Sequence, residues 1–149
     1  MQDKFDLLVD DDGDFVLDSS GDLDLATALE TVQQDIKFRG LTAHGSYDID
    51  PFFGADLISF QRLPNTRRTG DYMKANMYEA LVRDGRFTRD SIVVDAVPVG
   101  REEVAIVVFV RDAVAGTEED VLNNTPIPMV TFTVAFDNWQ ISAITGGLR

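Results

Sequence analysis

The stretch that decides the fold is Ile36–Leu57, IKFRGLTAHGSYDIDPFFGADL. A helical pattern enters it and stops at Leu41, a polar loop follows, and a second short helical pattern begins near Ala55. The loop contains Gly54, and Pro51 keeps the residue before it out of the helical region, so we expect a shaped connector. A shaped polar loop between helices serves as an active site, a binding loop or a structural corner.

Composition excludes several classes of protein. The chain has 149 residues, 44% of them hydrophobic, and no internal repeat is evident, so we expect one domain, with room for an appendage. It has no cysteine, which excludes disulfides and a thiolate zinc site. No apolar run is long enough to span a bilayer as a helix, and no signal-peptide pattern is visible. We therefore expect a soluble protein made in a cytoplasm, with no membrane partner.

Charge is distributed unevenly along the chain. The formal net charge of −13 argues against a nucleic-acid partner, because such binding is driven by neutralising phosphates. Residues 1–24 contain nine Asp against one Lys, a local net charge of −8. Residues 62–89 contain seven basic residues against three acidic ones, a local net charge of +4. The asymmetry is either a solvated surface or a pair of complementary faces that dock onto neighbouring subunits.

Helical periodicity predicts two main helices. The first runs from Leu25 to near Gly40, with Asp22 or Asp24 as its N-cap. The second covers residues 71–84. Its apolar face consists of Met73, Met77, Ala80 and Leu81.

Apolar runs separated by turn residues predict three hairpins. The paired segments are residues 5–9 with 15–17, 91–97 with 103–111, and 129–136 with 139–144. The fold class is therefore α+β: a small mixed or antiparallel sheet packed by two main helices, with a C-terminal β-hairpin extension. We place the α+β domain at residues 1–112, and a linker with the hairpin at residues 113–149. The sequence leaves open whether that hairpin folds back on the sheet or adds to a partner.

The Asp-rich segments DDDGD and DSSGD invite a calcium hypothesis. An EF-hand loop needs an acidic ligand five residues before its glycine. Those positions are Leu8 for Gly13 and Val16 for Gly21, and neither residue is acidic, so neither segment has the spacing of an EF-hand loop. We interpret these acids as turn formers whose side chains bond to nearby main-chain amides.

A catalytic reading of the opening loop would have to use His44, the only histidine. A triad would add Ser46 or Ser59 as nucleophile and Asp48 or Asp50 as orienting acid, but no nucleophile elbow accompanies them. A metal site built on the same loop lacks a second ligand cluster.

A glycosidase reading would use a pair of carboxylates. Glu30 and Glu79 lie on the helices beside apolar residues, but with 26 acidic residues some such pair always exists. Phosphate-binding glycine motifs are missing. We predict no catalytic residue, no metal ligand and no cofactor.

The order of motifs along the chain resembles the sheath-initiator wedge proteins of contractile phage-tail baseplates, the lysozyme-like inner baseplate wedge family. Asp12–Phe15 is comparable to D-x-G-D, Arg39–Gly45 to R-x-x-L-x-T-x-x-G, and Pro51–Leu57 to P-x-x-G-s-x-L. The match to the first motif is irregular, and Gly40-Leu41 shift the match to the second motif. The family's Glu-Pro-Arg signature after the last long helix corresponds to Asp84-Gly85-Arg86, which departs from it at two positions. The resemblance covers about residues 5–112.

The resemblance implies a structural virion protein of the tail baseplate, assembled in the host cytoplasm, and not an enzyme. Its partners would be other baseplate wedge and hub proteins and the tail tube and sheath proteins, in a six-fold arrangement around the tube. It would initiate sheath assembly by charge complementarity and by strand addition, with residues 104–110 and 129–136 as the candidate edge strands. Candidate partner-binding residues are Arg67, Arg68, Arg83, Asp84, Arg86, Arg89, Val104, Ile106, Val108, Val110, Val130, Phe132 and Val134. The alternatives are a peptidoglycan-degrading lysozyme-like enzyme and a small stand-alone binding module.

Overall fold

The computed structural model describes residues 6–110, 127–136 and 141–145 of the chain. Its strands are β1 (Asp6–Leu7), β2 (Leu25–Ala26), β3 (Ile92–Pro98), β4 (Glu103–Val110), β5 (Ile127–Ala135) and β6 (Ile141–Thr145). Its helices are α1 (Ala28–Leu41) and α2 (Arg67–Val82), with 3-10 helices at Leu57–Arg62 and Arg89–Ser91. The predicted α+β class with a C-terminal hairpin is confirmed. No helix in these ranges has the length and apolar character needed to cross a membrane.

Helix α1 begins at a capping box. The Thr27 hydroxyl accepts a hydrogen bond from the Glu30 amide at 3.2 Å, and the Glu30 carboxylate accepts one from the Thr27 amide at 2.8 Å. The prediction that Asp22 or Asp24 caps this helix is wrong. Strand β2 lies between those residues and the helix, so Thr27 is the residue placed to cap it. The helix ends at Leu41, one residue beyond the predicted end.

Helix α2 begins at Arg67, before the predicted start at Asp71. The cap is Thr66, whose hydroxyl accepts a hydrogen bond from the Thr69 amide at 3.3 Å. The predicted apolar face is confirmed, because all four of its side chains are buried. These are Met73, Met77, Ala80 and Leu81.

Residues 6–26 form a closed ring of three short strands, where the sequence predicted one hairpin. Strand β1 pairs with β2, and the segment 15–17 between them bridges to both neighbours. The Val16 amide donates to the Leu8 carbonyl, the Asp24 amide to the Val16 carbonyl, and the Leu8 amide to the Asp24 carbonyl, each at 2.9–3.0 Å. Each strand of this N-terminal ring therefore has two hydrogen-bonded neighbours.

An eight-residue repeat builds the N-terminal ring, although none was expected from the sequence. In each turn the first acid, Asp10 or Asp18, accepts hydrogen bonds on Oδ1 from the amides two and four residues later. Each turn also places a glycine, Gly13 or Gly21, at positive φ. Hydrogen bonds from the Ser20 hydroxyl and amide hold the pKa of Asp18 below its ordinary value. The interpretation of these acids as turn formers is confirmed.

The main sheet has the strand order β3-β4-β5-β6, and every pair is antiparallel. Strands β4 and β5, the two predicted edge strands, are both interior, so that prediction is wrong. Within the described residues, the outer strands are β3 and β6. Proline suits an edge or a bulge, and Pro98 lies on β3 while Pro128 lies at the register shift opposite Phe109.

The apolar residues predicted to bind partners lie in the chain's own core. They are Val104, Ile106, Val108, Val110, Val130, Phe132 and Val134, none more than 4% exposed. Alternate residues of a strand share one face, and this face packs against α1 and α2 in a single cluster. Partner binding by these seven side chains is therefore wrong for the folded chain, because no partner could reach them.

Helix α1 lies directly on the C-terminal hairpin. A Cβ added at Gly40 would overlap the ring of Phe132, so a glycine is required at this crossing. Helix α1 contacts both β5 and β6. The hairpin that the sequence placed beyond residue 112 thus shares the sheet and the core of residues 6–110. Residues 113–126, the rest of the predicted linker, lie outside the described residues.

Phe132→Ala is expected to lower the free energy of unfolding of the whole chain by about 3–5 kcal/mol, because it removes a fully buried ring. Thr131→Ala, on the opposite face of the same strand, is the matched control and should change it by less than about 1 kcal/mol. Urea denaturation followed by circular dichroism measures both. A main transition that Phe132→Ala leaves unchanged would show that the hairpin folds separately.

Candidate protein interaction surfaces

One buried guanidinium joins the two main helices. Arg39 of α1 is 4% exposed. Its Nε donates to Asp35 Oδ1 at 3.1 Å, one turn earlier on the same helix. At the end of α2, its Nη2 donates to Asp84 Oδ2 at 2.6 Å and its Nη1 to the carbonyl of Ala80 at 3.0 Å. This side chain therefore fixes the end of α2 against α1.

Three of the segments that carry the family resemblance meet at Arg39. Arg39 itself begins the segment Arg39–Gly45. The segment Pro51–Leu57 contacts it twice: the Ala55 amide donates to the Arg39 carbonyl at 2.7 Å, and the guanidinium lies 5.3 Å from the centre of the Phe53 ring. The third, Asp84–Arg86, supplies the carboxylate described above. Segments far apart in the chain are thus joined at one residue.

Arg86 completes an ion-pair network with Asp35, Arg39 and Asp84, which we call the Arg39 network. Arg86 Nη1 lies 2.9 Å from Asp35 Oδ1, and its amide donates to Asp84 Oδ1 at 3.1 Å. Between them, Gly85 has φ of +74°, a value that the ring of proline forbids. Asp84 and Arg86 therefore form their ion pairs on either side of a turn in which proline could not replace Gly85.

The pKa values within the Arg39 network agree with strong pairing. Burial on its own lowers the pKa of Arg39, but hydrogen bonds and charges from Asp84 and Asp35 outweigh it and leave the pKa raised. Burial on its own raises the pKa of Asp84, but hydrogen bonds from the Arg39 guanidinium and the Arg86 amide outweigh it and leave the pKa lowered. Both groups are therefore held in their charged forms.

The loop that follows α1 is a rigid structural corner. The Gly45 amide donates to the Pro51 carbonyl at 2.7 Å, which closes the loop across its base. His44 Nε2 lies 2.9 Å from the Gly54 carbonyl oxygen, and the His44 amide donates to Asp56 Oδ1 at 3.2 Å. A Cβ at Gly54 would overlap the main chain of Thr42, so the two ends of the loop are in direct contact.

The groups of the catalytic alternative are occupied by these local contacts. The hydroxyls of Ser46 and Ser59 donate to main-chain carbonyls three residues earlier, and Asp50 pairs with Arg83 at 3.1 Å. Within the described residues, no group of three potential ligands could hold a metal ion.

The carboxylate pair of the glycosidase alternative is not assembled either. The Glu30 carboxylate belongs to the capping box of α1. The Glu79 side chain is 64% exposed and lies 3.8 Å from Arg89 Nη1. A groove of about 300 Å³ beside Glu79 is lined by His44, Asn76 and other residues, but not by Glu30.

Five of the charged residues predicted to bind partners fall into two groups, and the sixth, Arg89, lies 3.8 Å from Glu79 outside both. Asp84 and Arg86 belong to the Arg39 network, and Arg83 pairs with Asp50 and lies over the Phe52 ring. Arg67 and Arg68 instead lie on the surface at the start of α2. Arg68 donates to the Tyr72 hydroxyl at 3.0 Å. The second group is available to a partner without breaking the fold.

Within residues 6–110, 127–136 and 141–145, strand β3 has no hydrogen-bonded neighbour on its outer side. The Val99 amide donates to the Glu103 carbonyl, so these two residues are a hydrogen-bonded pair. Along an antiparallel ladder such pairs alternate with pairs that are not hydrogen-bonded. Val97, Asp95 and Val93 therefore direct their main-chain groups to β4. The main-chain groups of Val94 and Ala96 then point away from the sheet. The sequence could not identify this edge, because β3 and β4 are both apolar runs.

Comparison with known proteins adds no relative: no family model, curated protein or solved structure matches this chain.

Arg86→Ala is expected to lower the free energy of unfolding by about 1–3 kcal/mol, because Asp35 loses one of its two charged donors. Arg67→Ala, an exposed arginine on the first turn of α2, should change it by no more than about 0.5 kcal/mol. Thermal and urea unfolding compare the two variants. Equal effects would show that the network position contributes nothing beyond a surface charge.

The stability conferred by Asp84 is expected to depend on pH. Its pKa is lower in the folded chain than in the unfolded chain, so its contribution is present above the unfolded pKa of about 3.9 and is lost as pH falls through the folded value. The difference in free energy of unfolding between wild type and Asp84→Asn should therefore shrink below about pH 4. Urea denaturation between pH 7 and pH 3 measures it, with the exposed Asp48→Asn as control. A constant difference would contradict the assignment.

Proposed function

We propose that this protein is a structural subunit of a contractile-tail baseplate, located around the tail tube, and that it initiates sheath assembly. The observation that carries the proposal is the meeting of three resemblance segments at Arg39. A chance similarity of motif order gives no reason for the segments to touch. A family pattern gives one, since residues that stabilise one fold lie together in it.

The substituted signature position supports the same proposal. Asp84 stands where the family has a glutamate, and its shorter side chain still reaches Arg39 at 2.6 Å. Arg86 stands where the family has its arginine and pairs with Asp35. A carboxylate and a guanidinium are therefore present at the first and last positions compared with the signature, and both form ion pairs.

Strand addition is the docking mode that the sheet favours. Strand β3 directs main-chain groups of Val94 and Ala96 away from β4, and a partner strand could pair with them. Beside this edge lies an open groove of about 580 Å³, between β3 and the first half of α2. Arg67 and Arg101 line it, together with Asp71 and with Lys74, which is paired to Asp95 at 3.1 Å. An acidic side chain of a partner strand would therefore meet Arg67 and Arg101 there.

The enzyme and stand-alone binding alternatives gain no specific support. Glu30 and Glu79 do not share a groove, and the loop around His44 is occupied by its own hydrogen bonds. An exposed β edge with charged neighbours is instead a feature that a partner strand would use. The baseplate subunit is therefore the function that the described residues support best.

The test is seeding of sheath assembly. Tail-tube and sheath proteins encoded beside this chain would be mixed with and without it, and sheath growth on tubes counted by negative-stain microscopy. We expect growth to start on tubes only when the chain is present. Sheath growth at the same frequency without the chain, or clearing of peptidoglycan by the purified chain, would overturn the proposal.

Two variants separate the edge from the rest of the surface. Ala96→Pro removes a main-chain donor that faces the open edge, and its thermal unfolding would be checked first. We expect it to lose seeding. Val97→Thr, next to it, keeps every main-chain donor and should seed like the wild type. If both variants seed equally well, β3 is not the docking edge.

A further inference from the structure

Six apolar side chains share one face of the N-terminal ring. They are Leu7, Val9, Phe15, Leu17, Leu23 and Leu25. They form the cross-strand pairs Leu7–Leu25, Val9–Phe15 and Leu17–Leu23. The two members of a cross-strand pair lie on the same face, and so do residues two apart on one strand. The last four are between 42% and 60% exposed. We call this surface the apolar face of the ring.

The ring is firmly attached to α1. The buried Gln34 side chain donates from Nε2 to Asp6 Oδ2 at 3.1 Å and to the Leu7 carbonyl at 3.0 Å. Lys37 Nζ lies 2.7 Å from Asp11 Oδ1. These contacts, together with the closed cycle of main-chain hydrogen bonds, hold the apolar face in a defined orientation.

The turns of the ring surround the apolar face with acids. The exposed carboxylates are Asp10, Asp11, Asp12, Asp14, Asp18 and Asp22. A contiguous apolar face on a soluble chain marks an interaction site when polar residues border it. A surface that fits this one needs an apolar centre and a basic border.

Residues 58–72 of the same chain contain exposed side chains of both kinds. Its exposed apolar side chains are Ile58, Leu63 and Tyr72, between 44% and 51% exposed. Three arginines accompany them, Arg62, Arg67 and Arg68, against the single acid Asp71. We call this surface the arginine face. It belongs to the 3-10 helix and the start of α2, whereas the ring is attached to α1.

We propose that the apolar face of the ring in one copy of the chain docks onto the arginine face of a second copy, head to tail. Charge complementarity selects this orientation, because the net charge of −13 opposes contacts between the acidic parts of two copies. A head-to-tail contact leaves one face of each kind free in a dimer, so copies add until a ring closes or a filament extends. Arg67 also lines the groove beside β3, but association between copies of the chain needs neither strand β3 nor a tail protein, so the inference does not depend on the proposed function.

Sedimentation velocity of the purified full-length chain over a range of concentrations tests for association. One variant, Phe15→Ser with Leu17→Ser, removes apolar contacts from the ring, and another, Arg67→Glu with Arg68→Glu, reverses charge on the arginine face. Each is expected to raise the dissociation constant by at least about tenfold. Thr88→Glu, which adds a negative charge at an exposed residue outside both faces, is the charge control and should associate like the wild type. Thermal unfolding confirms that each variant is folded.

Mixing the two face variants gives the decisive result. Each retains the face that the other lacks, so an equimolar mixture should form dimers and nothing larger. A wild-type chain that stays monomeric at every concentration overturns the proposal. So does association of the arginine variant alone, which would mean that the apolar faces pair with each other, and so does a mixture that remains monomeric.

Discussion

The fold depends on the burial of one charged side chain, Arg39. Moving a guanidinium out of water is costly, and the structure compensates with two carboxylates, a helix-terminal carbonyl and an aromatic ring. Those groups come from α1, from the loop after it and from the end of α2. The position of α2 and the shape of the loop are therefore both set by the need to satisfy one cation.

Local sequence patterns predicted the helices and strands well. They failed where the structure is determined by pairing between distant segments. The periodicity of α2 identified its buried methionines, but the acids before α1 could not show that β2 intervenes and that Thr27 caps the helix. The continuous apolar character of β4 indicated burial correctly. It could not distinguish a strand covered by its own neighbours from one covered by a partner, because both require the same side chains. The turn-rich segment after β4 likewise suggested a separate hairpin, while the ladder between Val104 and Val134 joins the two.

The candidate surfaces were only partly predictable for a related reason. An arginine in the sequence carries the same charge whether it is exposed like Arg67 or paired internally like Arg86. Spacing along the chain does not bring Asp35 and Asp84 together; the packing of two helices does. The N-terminal ring was missed because its repeat is only eight residues long and its strands are too short to show alternation. The pair of turns DDDGD and DSSGD was the one signal that could have revealed it.

The crossing of Gly40 and Phe132 has a consequence for synthesis on the ribosome. Helix α1 is complete early, but the surface that covers it is made from β5 and β6, almost a hundred residues later. Nascent chains that have exposed both helices and the first sheet strands still lack the residues that close the core. Apolar side chains such as Ile36 then have no native cover until β5 and β6 have been synthesised. The acids of residues 6–24 precede α1 in the chain, and like-charge repulsion between nascent chains would keep neighbouring copies apart during that interval.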